Sequence, residues 1–581
     1  MTAGRAHKQI RGKKTVIVLP KAHAELVRKA LLAAQQAGDL PEFELPEIDI
    51  KPPRNAEQGD YASSAAMALA RTLGRKPIEI AEAIARHLEQ PAYVESIEVA
   101  APGFINFRLN RDWLRAQIET VINEGEQLGR LTLGEGKRAQ VEFVSANPTG
   151  PLHIGRSRGA VVGDTLARLF EAAGYAVERE YYFNNAGMQM QNLGKSLRIR
   201  YLQELGIHTD DELMYKGDYL VEFARELVAE QGNALTEATW QPFKEYAEKK
   251  MFEMIRRTLE RIDIRHDHFF NENSLYDDDS VWDVLKGLEA AGHIYESAVR
   301  EGESEEVVAQ NRDLSPAKWF RSTQFGDKED RVVVKSDGAP TYTLPDIAYH
   351  LNKLGRGFDV LINILGADHF VEHQVVKYGV QALGGDIDRI NVVIMQFVRL
   401  IRNGKEYKMS TREGNYETLD DLIEQTSADA VRYMLLARNT NSRLDFDLDL
   451  AVKQTNENPV YYIQYAYVRC AGIFREAAAR GFSDEGADLS LLGDVELNFM
   501  RKILALSEEI EYAVVNFAPH NIAFYALDLA QQFQPVYDAV RVFGEGVPDD
   551  VARARLRFYR AALTAFNRVL TLMGMSKPER M

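Results

Sequence analysis

Apolar and polar positions change their period several times along the chain, and those changes mark its organisation. Near the amino end, Ala22–Gln36 and Ile78–Leu88 repeat apolar residues at helical spacing. After the extended stretch Ile97–Ala100, the segment Gly103-Phe-Ile-Asn-Phe-Arg-Leu109 alternates as a strand does. Together these predict a small α/β unit over 15–125, followed by a glycine- and glutamate-rich linker around 125–136. The pattern then becomes strand (Gln140–Ser145), turn (Asn147-Pro-Thr-Gly-Pro151) and helix (His153 to Ala173), with further buried-strand runs at Asp359–Leu365 and Asn391–Met395. Strands alternating with helices predict a parallel sheet with crossover helices over 126–455. A charged helical insertion is expected at about 190–320, densest in Leu213–Arg261. From Asn456 onward only helical periodicity remains, so 456–581 reads as an all-α domain. The fold class is multidomain α/β.

Composition narrows the function classes. Of 581 residues, 45% are hydrophobic and 27% charged, which excludes a disordered or fibrous chain. Cys470 is the single cysteine, so neither an intrachain disulfide nor a multi-cysteine zinc site can form. Net charge is −16, so a nucleic-acid partner would need a local basic patch. No apolar run reaches the roughly 18–20 residues of a membrane span. The basic amino end is followed by an apolar run, Thr15 to Leu19, too short for a signal-peptide core. A soluble, cytoplasmic protein is expected, without membrane contact.

Three common motifs fail. Gly134-Glu-Gly136-Lys-Arg-Ala139 fits the dinucleotide fingerprint but precedes a strand instead of following one. Gly194-Lys195-Ser196 would need a glycine at 189 to make a P-loop, and Gln189 stands there. His369-Phe-Val-Glu372-His373 matches a zinc-protease pattern, but it is short and follows a strand end immediately, so no structural metal is expected.

Three constellations carry more. In Glu142-Phe-Val-Ser-Ala-Asn147-Pro-Thr-Gly-Pro-Leu-His153-Ile-Gly155-Arg156 a strand ends, the chain reverses and His153 arrives where a helix begins. Free N–H groups there suit a phosphate, and Gly155 leaves room for a ligand to lie on the helix; the other reading is a merely capped helix. Lys408-Met409-Ser410-Thr411-Arg412 with Gly414-Asn415 combines cations and hydroxyls in a polar loop after a buried strand, suited to a mobile clamp over a polyphosphate or to a simple solvated loop. Gly366-Ala-Asp368-His369 follows a buried strand, where α/β sheets bind ligands, and its aspartate can accept from a ribose hydroxyl.

In this order the segments resemble a class I aminoacyl-tRNA synthetase: His153-Ile-Gly-Arg156 looks like the HIGH motif and Lys408-Met-Ser-Thr-Arg412 like the KMSKS loop. Gly59-Asp-Tyr-Ala62, Pro102-Gly-Phe-Ile-Asn-Phe107, Asn456-Glu-Asn-Pro-Val-Tyr-Tyr-Ile-Gln-Tyr465 and Met575-Ser-Lys-Pro-Glu-Arg-Met581 narrow the resemblance to the arginyl-tRNA synthetases across nearly the whole chain.

The resemblance implies a Rossmann-like catalytic domain, an amino-terminal domain touching the tRNA corner and a helical anticodon-binding domain. It implies activation of L-arginine by ATP, with Mg²⁺ as the ATP counter-ion, and transfer to tRNA(Arg); a monomer is expected. His153, Gly155, Arg156, Lys408, Ser410 and Arg412 match its catalytic positions, and Gly366, Asp368, His369 and Met409 join His153 and Gly155 around ATP. Glu142, Tyr342 and Asp346 match its guanidinium-binding positions and Asn147 the position that holds the amino-acid backbone end, with Asp346 alternatively capping a helix Asp346–Leu354, which Pro345 would suit. A planar, permanently charged guanidinium demands carboxylates placed for its fork of donors. Two departures stand out: Arg156 replaces the second motif histidine and cannot release its proton, and Thr411 replaces the second loop lysine.

Two other classes compete: a synthetase-like RNA-binding protein that has lost catalysis, favoured only by Arg156, and a nucleotidyltransferase of another kind, which would not need the helical tail. In that tail, seven cationic residues from Arg553 onward face Glu579 alone. Arg553, Arg557 and Arg560 share one helical face, a candidate tRNA-phosphate stripe or a surface paired with acidic neighbours.

Overall fold

The computed structural model describes residues 18–183, 185, 187–304, 306, 310, 314–407 and 418–581. At the amino end, helix Leu19–Gln36 buries the stripe Leu19, Val27, Leu31 and Ala34. With helix Pro77–Arg86 it packs against a four-stranded antiparallel sheet of β1 (Ile50–Lys51), β2 (Tyr61–Ser63), β3 (Val94–Ala100) and β4 (Phe104–Leu109), in the order β1-β2-β4-β3. β1 and β2 are too short to alternate visibly, which is why the sequence pattern missed them.

The centre is a five-stranded, all-parallel sheet: β5 (Arg138–Glu142), β6 (Ala176–Phe183), β7 (His268–Asn271), β11 (Val360–Gly366) and β12 (Ile390–Met395), ordered β12-β11-β5-β6-β7. The chain winds outward from β5 to β7, returns, and continues on the other side from β11 to β12. The switch point therefore lies between β5 and β11, where Glu142 is in register with Asn363. One face carries helix Ile154–Ala172, which lies so close that a Cβ on Gly163 would sit 2.3 Å from Phe143. Thr343–Gly355 and Phe370–Ala382 cover the other face. Leu361 belongs to the core under these two helices and Ile362 to the core under the first, the two-residue period of a strand buried on both sides.

The segment 190–320 is not one helical insertion. Helices Met188–Glu204, Tyr219–Gln231 and Gln241–Glu260 form their own apolar cluster. The chain then re-enters the central sheet as β7 and adds a small antiparallel sheet, β8 (Ile294–Ser297), β9 (Ala317–Phe320) and β10 (Arg331–Val334). β13 (Val398–Arg402) pairs with β14 (Lys405–Tyr407) and with β15 (Leu444–Asp447). β14, the strand that leads to Lys408, is exposed at all three residues, so the expectation of a buried strand there is corrected.

Five helices, Pro459–Ala479, Asp494–Leu504, Leu506–Val515, His520–Ala539 and Asp549–Met573, make the carboxy-terminal bundle. It holds the amino-terminal domain through Asp60 and Tyr61: Tyr61 donates to Glu508 at 2.6 Å, and Arg501 pairs with Asp60. Among the described residues no helix is long and apolar enough to cross a membrane.

Candidate active site

β5 ends at Glu142, and the backbone then turns through left-handed conformations at Val144 (φ 70°) and Ser145 (φ 38°), rare for non-glycine residues. Bonds to β6 hold that turn. Ser145 Oγ donates to Glu142 Oε1 at 2.9 Å and accepts from the Tyr182 amide at 3.1 Å. The Tyr181 hydroxyl donates to the Ala146 carbonyl at 2.9 Å and accepts from its amide at 3.1 Å. Asn147 lies exposed beyond the turn, its amide donating to Gln189 at 2.7 Å.

His153 is the N-cap of helix Ile154–Ala172, Nδ1 accepting from the Gly155 amide at 3.0 Å. Burial and the neighbouring Arg156 charge hold its pKa below the ordinary value, which keeps that nitrogen an acceptor. A Cβ on Gly155 would lie 3.2 Å from the same nitrogen. The Arg156 side chain is exposed at the positive end of the helix. A cavity of about 220 Å³ opens here, lined by His153, Gly155, Arg156, Gly366, Asp368 and Phe397 among others. It sits at the carboxyl ends of β5 and β11, and so joins two of the three constellations. His369 stands beside Asp368 with Nδ1 3.3 Å from Glu372, whereas His373 is buried against His350, so the two histidines face different surroundings. Lys408, Met409, Ser410 and Arg412 lie outside the described residues. The chain resumes at Thr418, which bridges to His153, and the Leu419 amide donates to the Leu152 carbonyl at 2.8 Å.

Arg158 was missed by the motif reading. It is 1% exposed and donates to five carbonyls, those of Gln396, Arg438, Asn439, Thr440 and Ser442, at 2.9–3.3 Å. Burial, reinforced by Arg438, pushes its pKa down to about 10. It ties helix Ile154–Ala172 to the far wall of the cavity.

On the other face of the sheet, Asp346 is half-buried in the first turn of helix Thr343–Gly355. Its carboxylate does not cap the helix, whose N-cap is Tyr342, so the capping alternative falls. Burial and the charges of Glu272, Glu142 and Glu372 push Asp346 up to about 8. Glu272, just past β7, is 3% exposed, has an oxygen without a partner and is pushed by burial up to about 7. Glu142 is already engaged: Lys353 donates to Oε2 and Ser145 to Oε1. Tyr342 is 72% exposed and stands at the rim. Sequence reading missed Glu272 and Lys353; the available signals were an acid at a strand's carboxyl end and a lysine seven residues beyond Asp346 on one helical face.

The structure places the stripe of Arg553, Arg557 and Arg560 against its own chain. Arg557 grips Glu119 through two nitrogens (2.8 and 2.6 Å) and reaches Asp484 at 3.2 Å, Arg560 grips Asp484 (2.7 and 2.8 Å), and Arg553 donates to the Ser483 carbonyl at 3.0 Å. The stripe joins the last helix to its own chain, and two of its three arginines, Arg557 and Arg560, have acidic neighbours, which favours the second of the two readings. An arginine that neutralises a phosphate steepens the salt dependence of tRNA binding by about one unit. The triple alanine variant should therefore leave that slope unchanged while lowering the melting temperature, as nitrocellulose binding over a salt series and calorimetry would show. A slope flattened by about two units would restore the phosphate role.

Comparison with known proteins matches three family models in succession: arginyl tRNA synthetase N terminal domain over residues 21–109, tRNA synthetases class I (R), catalytic domain over 117–455, and DALR anticodon binding domain over 463–581. The arginine–tRNA ligase of Carboxydothermus hydrogenoformans is 39% identical over 576 residues, covering 97% of this chain and all of that one. That of Salinibacter ruber is 41% identical over 567 residues, covering 94% and 97%. The fold superposes on Thermus thermophilus arginyl-tRNA synthetase with a TM-score of 0.73 at 19% identity, covering 97% of this chain and 100% of that chain.

Proposed function

The chain belongs to the class I arginyl-tRNA synthetases, and from that premise we propose that it activates L-arginine with ATP and esterifies tRNA(Arg), dividing the work among domains at 15–125, 126–455 and 456–581. The observation that carries the reading is the succession of the three arginyl-tRNA synthetase family models along the chain, and the site supports it with two acids, Asp346 and Glu272, set near Glu142 at the carboxyl edge of the sheet.

Asp346 and Glu272 accept the guanidinium, whose donors point to two sides of a plane. Glu142, both of whose oxygens are engaged by Lys353 and Ser145, is moved from the guanidinium to the α-ammonium end, which it takes with Asn147, and Tyr342 covers the rim. The arginine carboxylate then faces the cavity under His153. One of its oxygens attacks the α-phosphorus of ATP, the bond to the β-phosphate oxygen breaks, and pyrophosphate leaves. His153, Arg156 and the amides opening helix Ile154–Ala172 meet the developing charge. Lys408, Ser410 and Arg412 supply charge and donors to the leaving group, Met409 serves the nucleotide with His369, and Gly366 and Asp368 hold the ribose side. Mg²⁺ accompanies ATP through its phosphates. The terminal adenosine 2′-hydroxyl next attacks the acyl carbon, giving arginyl-tRNA and AMP, and its proton passes to the solvent or phosphate.

For the anticodon side we propose helix Pro459–Ala479. Tyr461 and Tyr465 stack there at 5.7 Å and Arg469 lies over Tyr465 at 4.4 Å, a surface suited to unstacked bases.

Charging assays with total tRNA and each amino acid test the reading: arginine alone should be esterified, and charging of another amino acid or of none would overturn it. The pH dependence is a further expectation. In the empty pocket Asp346 and Glu272 hold protons near neutrality, yet the guanidinium needs them ionised. Arginine affinity should therefore rise with pH, by at least about tenfold from pH 6 to 8, and level off above.

A further inference from the structure

One buried cation stands where the chemistry above does not call for it. Lys353 has no exposed surface; its ammonium donates to Glu142 Oε2 and, at 2.8 Å, to Asn363 Oδ1, and lies 4.2 Å over the Tyr349 ring. A methionine would fill the same space without the cost of burying a charge. The surroundings are arranged for an ammonium. Asn363 Nδ2 donates to His350 Nε2 at 3.1 Å, and His350 Nδ1 donates to the Asp346 carbonyl at 2.8 Å, so the Asn363 amide is turned with its oxygen toward Lys353.

The other charged groups around it are accounted for. Glu180, on β6, is held by two nitrogens of Arg356, by His268 and by Tyr349. His350 and, from helix Phe370–Ala382, His373 are kept neutral by burial and by the charges of Lys353 and Lys377. Lys377 donates to the Ile390 carbonyl at 3.0 Å, and Glu372 of the same helix pairs with His369. What remains at the pocket is three carboxylates, Glu142, Asp346 and Glu272, against one ammonium.

We propose that Lys353 is a positioning residue for the amino acid: by holding Glu142 it subtracts one charge from the three carboxylates, leaving the pocket matched to a ligand that brings two cations, a guanidinium and an α-ammonium. The proposal rests on the pocket assigned above. It gives the pocket a charge rule as well as a shape rule: agmatine, which keeps both cations, fits, whereas 5-guanidinovalerate, which lacks the α-ammonium, leaves an acid uncompensated.

The test is arginine binding to the full-length protein by calorimetry from pH 6 to 9, with each affinity referred to the fraction of arginine that carries its α-ammonium. The readout is the pH at which affinity levels off, which follows the pocket's net charge because added negative charge raises the pKa of its acids. Relative to wild type, Lys353→Met should move that plateau upward by about one pH unit and weaken binding at pH 7 at least about tenfold. Glu142→Gln should move it downward. The double variant, with both charges gone, should return it to the wild-type position, and Lys353→Arg should stay near wild type in profile. Should Lys353→Met fail to fold, the double variant, Glu142→Gln and Lys353→Arg still give the order. A plateau that none of these changes moves would overturn the proposal. Asp346→Asn separates the two layers: a wild-type affinity and profile there would mean that the pocket itself is misassigned, whereas a flattened profile there with no response to Lys353 or Glu142 would sink only the role of Lys353.

Discussion

Asp346→Asn should raise the arginine Michaelis constant at least tenfold, and Asp346→Asn/Glu272→Gln at least about a hundredfold, with the ATP constant within twofold of the parent. Tenfold corresponds to about 1.4 kcal/mol, and a hydrogen bond to a charged group contributes about 1.5–3 kcal/mol. Each substitution replaces one face of the guanidinium site by an amide that presents donors toward donors. The same changes should not weaken the fold. Both acids are pushed up toward neutrality by burial, so the empty protein gains when they lose their charge. Melting temperatures should be equal to wild type or higher, and that separates lost recognition from lost structure. Steady-state pyrophosphate exchange over an arginine series measures the first and calorimetry the second. A double variant with a normal arginine constant would remove both residues from the pocket.

Which parts of this site could be read from the sequence follows from how local their causes are. The turn after β5 and the helix behind His153 show themselves within a dozen residues, because a Pro/Gly reversal, an N-capping side chain and an apolar helical face are neighbours in the chain. Asp346 and the helix whose first turn it occupies could be read for the same reason. Lys353 could not: its partner Glu142 lies 211 residues away, and nothing near either residue announces the other. Glu272 becomes a site residue only because β7 is parallel to β6 and ends at the same edge. Helical periodicity did gather Arg553, Arg557 and Arg560 on one face, but it carries no information about what that face meets. Glu119, which Arg557 grips, is 438 residues away, on a helix of another domain. Arg158 offered a partial signal, a charge on the helical face shared by Ile154, Ser157 and Val161, all of them buried. Its five carbonyl partners, from 396 to 442, come from the other side of the switch point.

Asp164→Asn should lower the unfolding free energy by about 3–5 kcal/mol, the usual cost of removing one partner of a buried ion pair. Asp164 and Arg432 are both 1% exposed and hydrogen-bonded to each other in the wall between the catalytic domain and the carboxy-terminal bundle. The Arg432 guanidinium also donates to the carbonyls of Ile262 (2.6 Å) and Met573, and a Cβ on Gly574 would fall 2.2 Å from it, so the last helix ends directly on this charge. Asp164 in turn accepts from Arg168 at 2.7 Å and lies 3.6 Å from Arg179. That asymmetry orders the variants. Without Asp164, Arg432 is buried with no acid hydrogen-bonded to it, only the more distant Asp263; without Arg432, Asp164 keeps two cations. Arg432→Met should therefore cost less than Asp164→Asn. Burial raises the Asp164 pKa, but Arg432 and Arg168 outweigh it and hold the group below the ordinary aspartate value. A depressed carboxyl pKa stabilises the fold above the unfolded-state value and is lost as pH falls through the folded one. Wild type should lose stability on acidification below the ordinary aspartate range, and Asp164→Asn should lack that component. Denaturant titrations of both variants across pH 3–8 read the size, the order and the pH dependence together. If Arg432→Met proves the more damaging, Asp164 is not the charge on which this junction depends.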